Sequence, residues 1–252
     1  MKNLYKYLIK MISAKDLEWA TFLYNAMGED ILYMEDSVKV SEALKMGTPG
    51  KSIVDFLNHW RMRIPKKKNK IDEEIDYWYS SQGKELFDDL PFSLLEINLN
   101  DTDTKKKVSE LYSSLYREYI RDTSTSKILH IIKPDLFVMW DNKIRMHYLE
   151  EAPKEIEPSG ASAYIYFLKK MQFEAKSLKD EDKSLASRLS ENLKKLYEGI
   201  LANTSNNEYK AKLSNAIKVL GTQGGRPITK FLDEYNWVKV SKNAAIPPSW
   251  HP

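Results

Sequence analysis

In the stretch TPGKSIVDFLNHWRMRIP, the apolar residues Ile53, Phe56, Leu57, Trp60 and Ile64 fall at i, i+3, i+4, i+7 and i+11. At 3.6 residues per turn they form one stripe, and such a stripe must be buried against another element. The same period recurs along the 252-residue chain. The strict alternation of half-buried strands does not, nor does a strand–helix–strand rhythm that would build a parallel sheet. The pattern predicts an all-α fold: a multi-helix globular protein forming one helical domain, with two packed helical lobes and a cleft as the alternative arrangement.

Capping and breaking residues set the expected helix limits. Ser13 is placed as an N-cap with Asp16 three residues on, and Gly28 as the stop. Further helices are expected over 36–46, ending at Gly47, and over 49–64. Two short ones are expected in 71–92 with a break at Gly83, and others over 101–120, 159–178, 183–202, 209–220 and 227–235. In 101–120 the apolar face is Val108, Leu111, Tyr112, Leu115 and Tyr119. A helix capped by Thr123, Ser124 or Thr125 is expected to stop at Pro134, and another to start at Asp141. The end, NAAIPPSWHP, reads as irregular.

Several function classes drop out on composition. The absence of Cys removes disulfides, Cys-type zinc sites, thiol nucleophiles and Cys-ligated iron–sulfur clusters. No run approaches the ~20 apolar residues of a membrane span. The start, MKNLYKYLIKMISAKD, is interrupted by Lys2, Lys6 and Lys10 and lacks the apolar core of a signal peptide. A cytoplasmic protein without membrane association is expected. The formal charge of +3 permits nucleic-acid binding without requiring it. None of His59, His130, His147 and His251 stands in an HExxH arrangement, so no metal and no cofactor are expected. His130 reads as a core-edge residue with a hydrogen bond.

Three stretches carry candidate chemistry. GTQGGRP, 221–227, is a helix connector, or a backbone-amide seat for a phosphate. RMRIPKKKNK places Arg61, Arg63, Lys66, Lys67 and Lys68 beside Trp60, as a loop that could grip phosphates or one that pairs with the acidic block after it. The third, SKILHIIKPDLFVMWDNKIR, packs nine apolar residues of a core segment between Lys127 and Asp141. A chain reversal at Pro134 would bring these two groups to one pocket. Burial lowers the pKa of an amine and raises that of a carboxyl, which is how nucleophilic lysines and general bases are made. The competing role for Asp141 is structural, as the cap of the helix it precedes.

The order of features in TSTSKILHIIKPDLFVMWDNKIR resembles the central segment of helix–hairpin–helix DNA glycosylases, in the divergent branch related to 8-oxoguanine glycosylases. The shared elements are a Ser/Thr turn, a helix, a Pro, and an aromatic–Asp pair heading the next helix. The resemblance spans about 25 residues. It implies duplex DNA as the partner and Asp141 as the catalytic acid, with Lys127 as the amine. Ser124, Thr125, Ser126, Lys143 and Arg145 would contact phosphates, and Trp140 and Trp60 would stack on an extruded base. The chain departs from the family in having no glycine between residues 84 and 159, where a Gly-rich hairpin is expected, and in a shorter lysine-to-acid spacing. Two rival classes stand beside this one. One is a non-catalytic helical scaffold that binds a protein partner through its aromatic surface. The other is an enzyme that takes a small metabolite in the cleft.

Overall fold

The computed structural model describes residues 11–26, 30–65, 70–222 and 225–244. Lys66, Lys67, Lys68, Gly28 and His251 lie outside these residues. Among the described residues every regular element is helical, and the fold is all-α as expected. The first half holds α1 (Ala14–Ala26), α2 (Asp30–Met46), α3 (Gly50–His59), α4 (Ile71–Trp78), α5 (Lys84–Asp88) and α6 (Thr102–Leu115). The second half holds α7 (Asp122–Ile132), α8 (Asn142–Leu149), α9 (Gly160–Glu181), α10 (Leu185–Asn203), α11 (Asn207–Thr222) and α12 (Ile228–Asn236). Helix α1 packs on α12, α2 on α11, α3 on α4, and α6 on α9. The stripe side chains of nearly every helix join one buried apolar cluster. At its centre Trp140, Tyr164, Phe167, Phe137 and Tyr112 meet with ring centroids 5.0 to 6.4 Å apart.

Local chemistry explains where the helices stop. Helix α1 opens with a capping box: the Asp16 N–H donates to Ser13 Oγ (3.1 Å) and the Ser13 N–H to Asp16 Oδ2 (3.3 Å). Helix α2 ends in a Schellman motif, with Thr48 N–H donating to Ala43 O and Gly47, at φ 77°, in the left-handed region. Helix α3 ends in the same motif, with Met62 N–H donating to Leu57 O and Arg61 N–H to Asn58 O. Here the left-handed residue is Arg61, at φ 60°, where glycine would be unstrained. The helix expected to reach Ile64 therefore stops at His59. Ile64 is still buried, because the Asn58 side chain holds both its N–H (2.7 Å) and its C=O (3.1 Å).

Two other expectations are corrected. Gly83 does not break the chain; a π-helical turn, Tyr79–Gly83, joins α4 to α5. A Cβ at Gly83 would lie 2.9 Å from the Trp78 ring, so the glycine is there for close packing. Helix α7 begins at Asp122, not at the Ser/Thr cluster, and its N-cap is Arg121 without a side-chain cap bond. Ser124, Thr125 and Ser126 thus lie inside the helix and are buried.

Asp122 ties four helices together. Its Oδ1 accepts from Tyr112 Oη on α6 (2.8 Å) and from the Gly160 N–H at the start of α9 (2.8 Å). Its Oδ2 pairs with Arg145 on α8, and its carbonyl accepts from Trp140 Nε1 (3.1 Å). Removing one partner of such a buried pair leaves the other charge uncompensated. Asp122→Ala is expected to lower stability by about 3 kcal/mol or more, read by urea unfolding. A loss below about 1 kcal/mol would show that the network is not structural.

Candidate functional site

Between α7 and α8 the chain turns at residues 134–136 and runs without regular secondary structure through 137–141. This run is almost wholly buried, so its backbone groups need protein partners. Side chains supply them. Thr229 Oγ1 donates to Pro134 O, His130 Nδ1 to Phe137 O (2.6 Å), and Tyr164 Oη to Val138 O (2.8 Å). Ser126 Oγ accepts from Trp140 N–H (3.2 Å) and lies 3.3 Å from Trp140 O. The apolar segment is therefore an irregular link clamped by side chains of α7, α9 and α12, and it delivers Asp141 to the head of α8.

His130 is wholly buried. Its Nδ1 bond to a carbonyl fixes the proton there, leaving Nε2 to accept from Tyr33 Oη (2.8 Å). Burial lowers its pKa to about 4, with Asp233 pulling the other way.

Lys127 and Asp141, fourteen positions apart in sequence, line one cavity of about 240 Å³. Trp60, Trp237, Arg61, Asp233 and Lys242 also line it. The Lys127 amine sits 4.0 Å from the Trp60 ring centre and its side chain is almost fully buried, at 7% exposure. Asp141 is half-buried. Its Oδ1 accepts the Ile144 N–H (2.8 Å), capping α8 from extended backbone, and its Oδ2 accepts Ser241 Oγ–H (2.5 Å). The cap and the cavity wall are therefore the same residue. A larger groove of about 550 Å³ beside α4 is lined by charges already spent on each other, Lys70 with Glu73 and Arg117 with Glu74.

Behind the cavity lies a cluster of charges on and just before α12. Lys230 is fully buried, 2.8 Å from Asp233 Oδ2 and 3.7 Å from Glu234, and Arg226 pairs with Glu234 (2.7 Å). The rings of Tyr24, Tyr33 and Trp60 surround the Lys230 amine at 4.6, 4.7 and 5.3 Å. Lys127 and Lys230 thus share the Trp60 indole.

Several site expectations are overturned by burial. Ser124, Thr125 and Ser126 are at most 2% exposed and cannot reach a phosphate on the surface. Trp140 is 1% exposed and its ring packs on Tyr164 and Phe167, although the residue is one of those lining the cavity. Arg145 is spent on Asp122 and Asn142 Oδ1 (2.7 Å). Trp60 keeps a half-exposed ring on the cavity, and Trp237 is a second indole there. Arg61, Arg63, Lys143 and Lys242 are exposed; Arg61 and Lys242 stand on the cavity wall. Among the described residues no group of three or more His, Asp and Glu is arranged to hold a metal.

Asp233, Trp237, Ser241 and Lys242 did not emerge from the sequence. Lys230, Asp233 and Glu234 stand at i, i+3 and i+4, the spacing of ordinary exposed helix pairs. The usable signal was TKFLDEYNWV, where that charged face is interleaved with a run of bulky aromatics. No protein-family model, no curated protein and no solved structure matches the chain.

A pH dependence follows from His130. The unfolded chain takes up a proton near pH 6.5, whereas the folded chain refuses it until about pH 4. Its contribution is complete above 6.5 and is lost as pH falls through that window, by about 3 kcal/mol in all. Asp36, Asp135 and Glu174, whose pKa values burial raises, act in the opposite sense. The effect is therefore read as the difference between wild type and His130→Gln in urea titrations at pH 7, 5.5 and 4. Equal slopes against pH in the two proteins would refute it.

Proposed function

We propose that the protein binds DNA and draws an extruded base toward the cavity, where Lys127 and Asp141 act on the N-glycosidic bond. One observation carries this reading: an amine and a carboxylate flanking a buried core segment line the same small cavity, with two indoles beside them. The volume of about 240 Å³ lies below the ~300–1,000 Å³ of drug-sized ligand pockets and suits a single ring system. An extruded base is held by aromatic faces and pays its unstacking cost through such contacts. Trp60 and Trp237 are placed for that role, and Arg61, Arg63, Lys143 and Lys242 are the exposed cations for phosphates.

The chemistry follows from charge. Departure of the base leaves positive charge on the sugar, and a fixed carboxylate stabilises it. The Lys127 amine, its proton given to solvent, forms a bond to C1′ as the C1′–N bond breaks. The base leaves with that electron pair and takes a proton from water. The C1′ ammonium gives one proton to solvent, and its nitrogen lone pair then expels the ring oxygen, which takes a proton from solvent, to give an iminium that borohydride reduces. Asp141 uses one lone pair on the cap and one on Ser241, but keeps its charge and further acceptor sites. A recognition protein without chemistry is the second reading, favoured by that double engagement of Asp141.

Two measurements test this. Four phosphate contacts give a slope of log affinity on log salt of about −3.6, so duplex affinity should fall roughly a hundredfold between 50 and 200 mM salt. No binding at low salt rejects the DNA reading. Where binding is seen, borohydride should trap wild type on an abasic or damaged duplex and not Lys127→Gln. Asp141→Asn keeps a good N-cap while removing the charge, so it should fold normally and lose trapping. Binding without any trapping selects the recognition reading.

A further inference from the structure

The carboxylate on which the proposed reaction turns is not held by its own helix alone. After α12 the chain winds through a π-helical turn, Trp237–Ser241, closed by Lys242 N–H donating to Trp237 O (2.9 Å). Short π segments inside helices are frequent at functional sites. This one is anchored by Val238, fully buried against Trp19, Ala20 and Tyr24. Lys242 stacks on Trp237 at 4.5 Å, and both line the cavity. Ser241, one hundred positions from Asp141 in sequence, donates its hydroxyl to Asp141 Oδ2 at 2.5 Å. On the other side of the same residue, Lys143 Nζ donates to Ser241 O (3.0 Å). The turn and the head of α8 are thus joined by two bonds, and one of them falls on the candidate catalytic acid.

We propose that Ser241 is the positioning residue for Asp141. The cap bond from Ile144 fixes one carboxylate oxygen. Alone it would leave the group able to swing about that contact. The Ser241 hydroxyl fixes the second oxygen and so sets the plane of the carboxylate relative to the cavity. A stabilising charge is effective only when it is held in place before the reaction, because reorienting it during the step costs what it supplies. The residue acts through Asp141 and contributes no bond to substrate.

The inference rests on the glycosylase reading, and the test separates the two. Full-length wild type, Ser241→Ala and Ser241→Thr are compared for duplex affinity and for the rate of borohydride trapping at saturating duplex. Ser241→Ala should bind within about twofold of wild type and trap about tenfold more slowly, the loss of one hydrogen bond to a charged group. Ser241→Thr, which keeps the hydroxyl, should trap within about twofold of wild type. If Ser241→Ala fails to fold by circular dichroism, Ser241→Cys, nearly isosteric with a weak donor, takes its place in the comparison. Trapping by Ser241→Ala at the wild-type rate, or equal slowing in Ser241→Thr, overturns the role of Ser241 and leaves the glycosylase reading standing. Absence of trapping in wild type ends both.

Discussion

Everything near the cavity is referred to one buried carboxylate that takes no part in it. Asp122 accepts from Tyr112 on α6 and from the first N–H of α9, and it pairs with Arg145 on α8. Its carbonyl holds the Trp140 indole, the residue before Asp141. A carboxylate that accepts several hydrogen bonds and an arginine has its desolvation offset by them, which is the condition for a buried charge to persist. Its geometric effect is larger than its energetic one. With Trp140 fixed by Asp122, and its backbone fixed by Ser126, the irregular link cannot slide along α7. Asp141 and Lys127 then meet the same cavity from two different elements.

What was legible in the sequence followed from period and punctuation. The helices were found because each buries a stripe, and α8 was placed because an acid after an apolar run is a natural cap. The meeting of Lys127 and Asp141 was conditional on a reversal at Pro134, and the chain does turn at residues 134–136. What escaped was set by tertiary context. The Ser/Thr cluster has the composition of an N-cap, yet those hydroxyls are buried, and α7 starts one turn earlier. Trp140 sits next to the acid in sequence, but its ring is packed on Tyr164 and Phe167 in the core, a contact no one-dimensional pattern announces. The left-handed Arg61 has no signature in a one-dimensional pattern, because the motif it occupies normally takes glycine, as Gly47 does at the end of α2.

The charges on and before α12 show a second kind of context. Arg226, Lys230, Asp233 and Glu234 are nearly or fully buried. Such clusters contribute little net stability, because desolvation consumes most of the Coulomb gain. Their consequence here is placement: Lys230 is pinned between two carboxylates and three rings, and the Trp60 indole that borders it also seats the Lys127 amine. The position of the candidate nucleophile is thus coupled to a network on a helix about a hundred residues further along the chain.

These charges also decide how the cavity would treat a nucleotide. Asp233 is matched by Lys230, and Arg61 and Lys242 stand on the wall, so the balance of sign favours an anionic backbone. The same balance opposes a cationic sugar. Since Coulomb energy falls with distance and is screened at the exposed rim, the nearest fixed charge outweighs the more distant ones. Asp141 must therefore act at short range or not at all. The positive end of α8 reduces its field further, because that helix terminus already carries about half a charge of opposite sign. A capping acid is a weaker stabiliser of a cation than a free one, and orientation is what remains to offset the difference. Under the proposed reaction, a carboxylate held on both oxygens, by Ile144 N–H and Ser241 Oγ–H, would lose no free energy to reorientation. In this fold the cap and the serine are the two restraints that could make so compromised an acid effective.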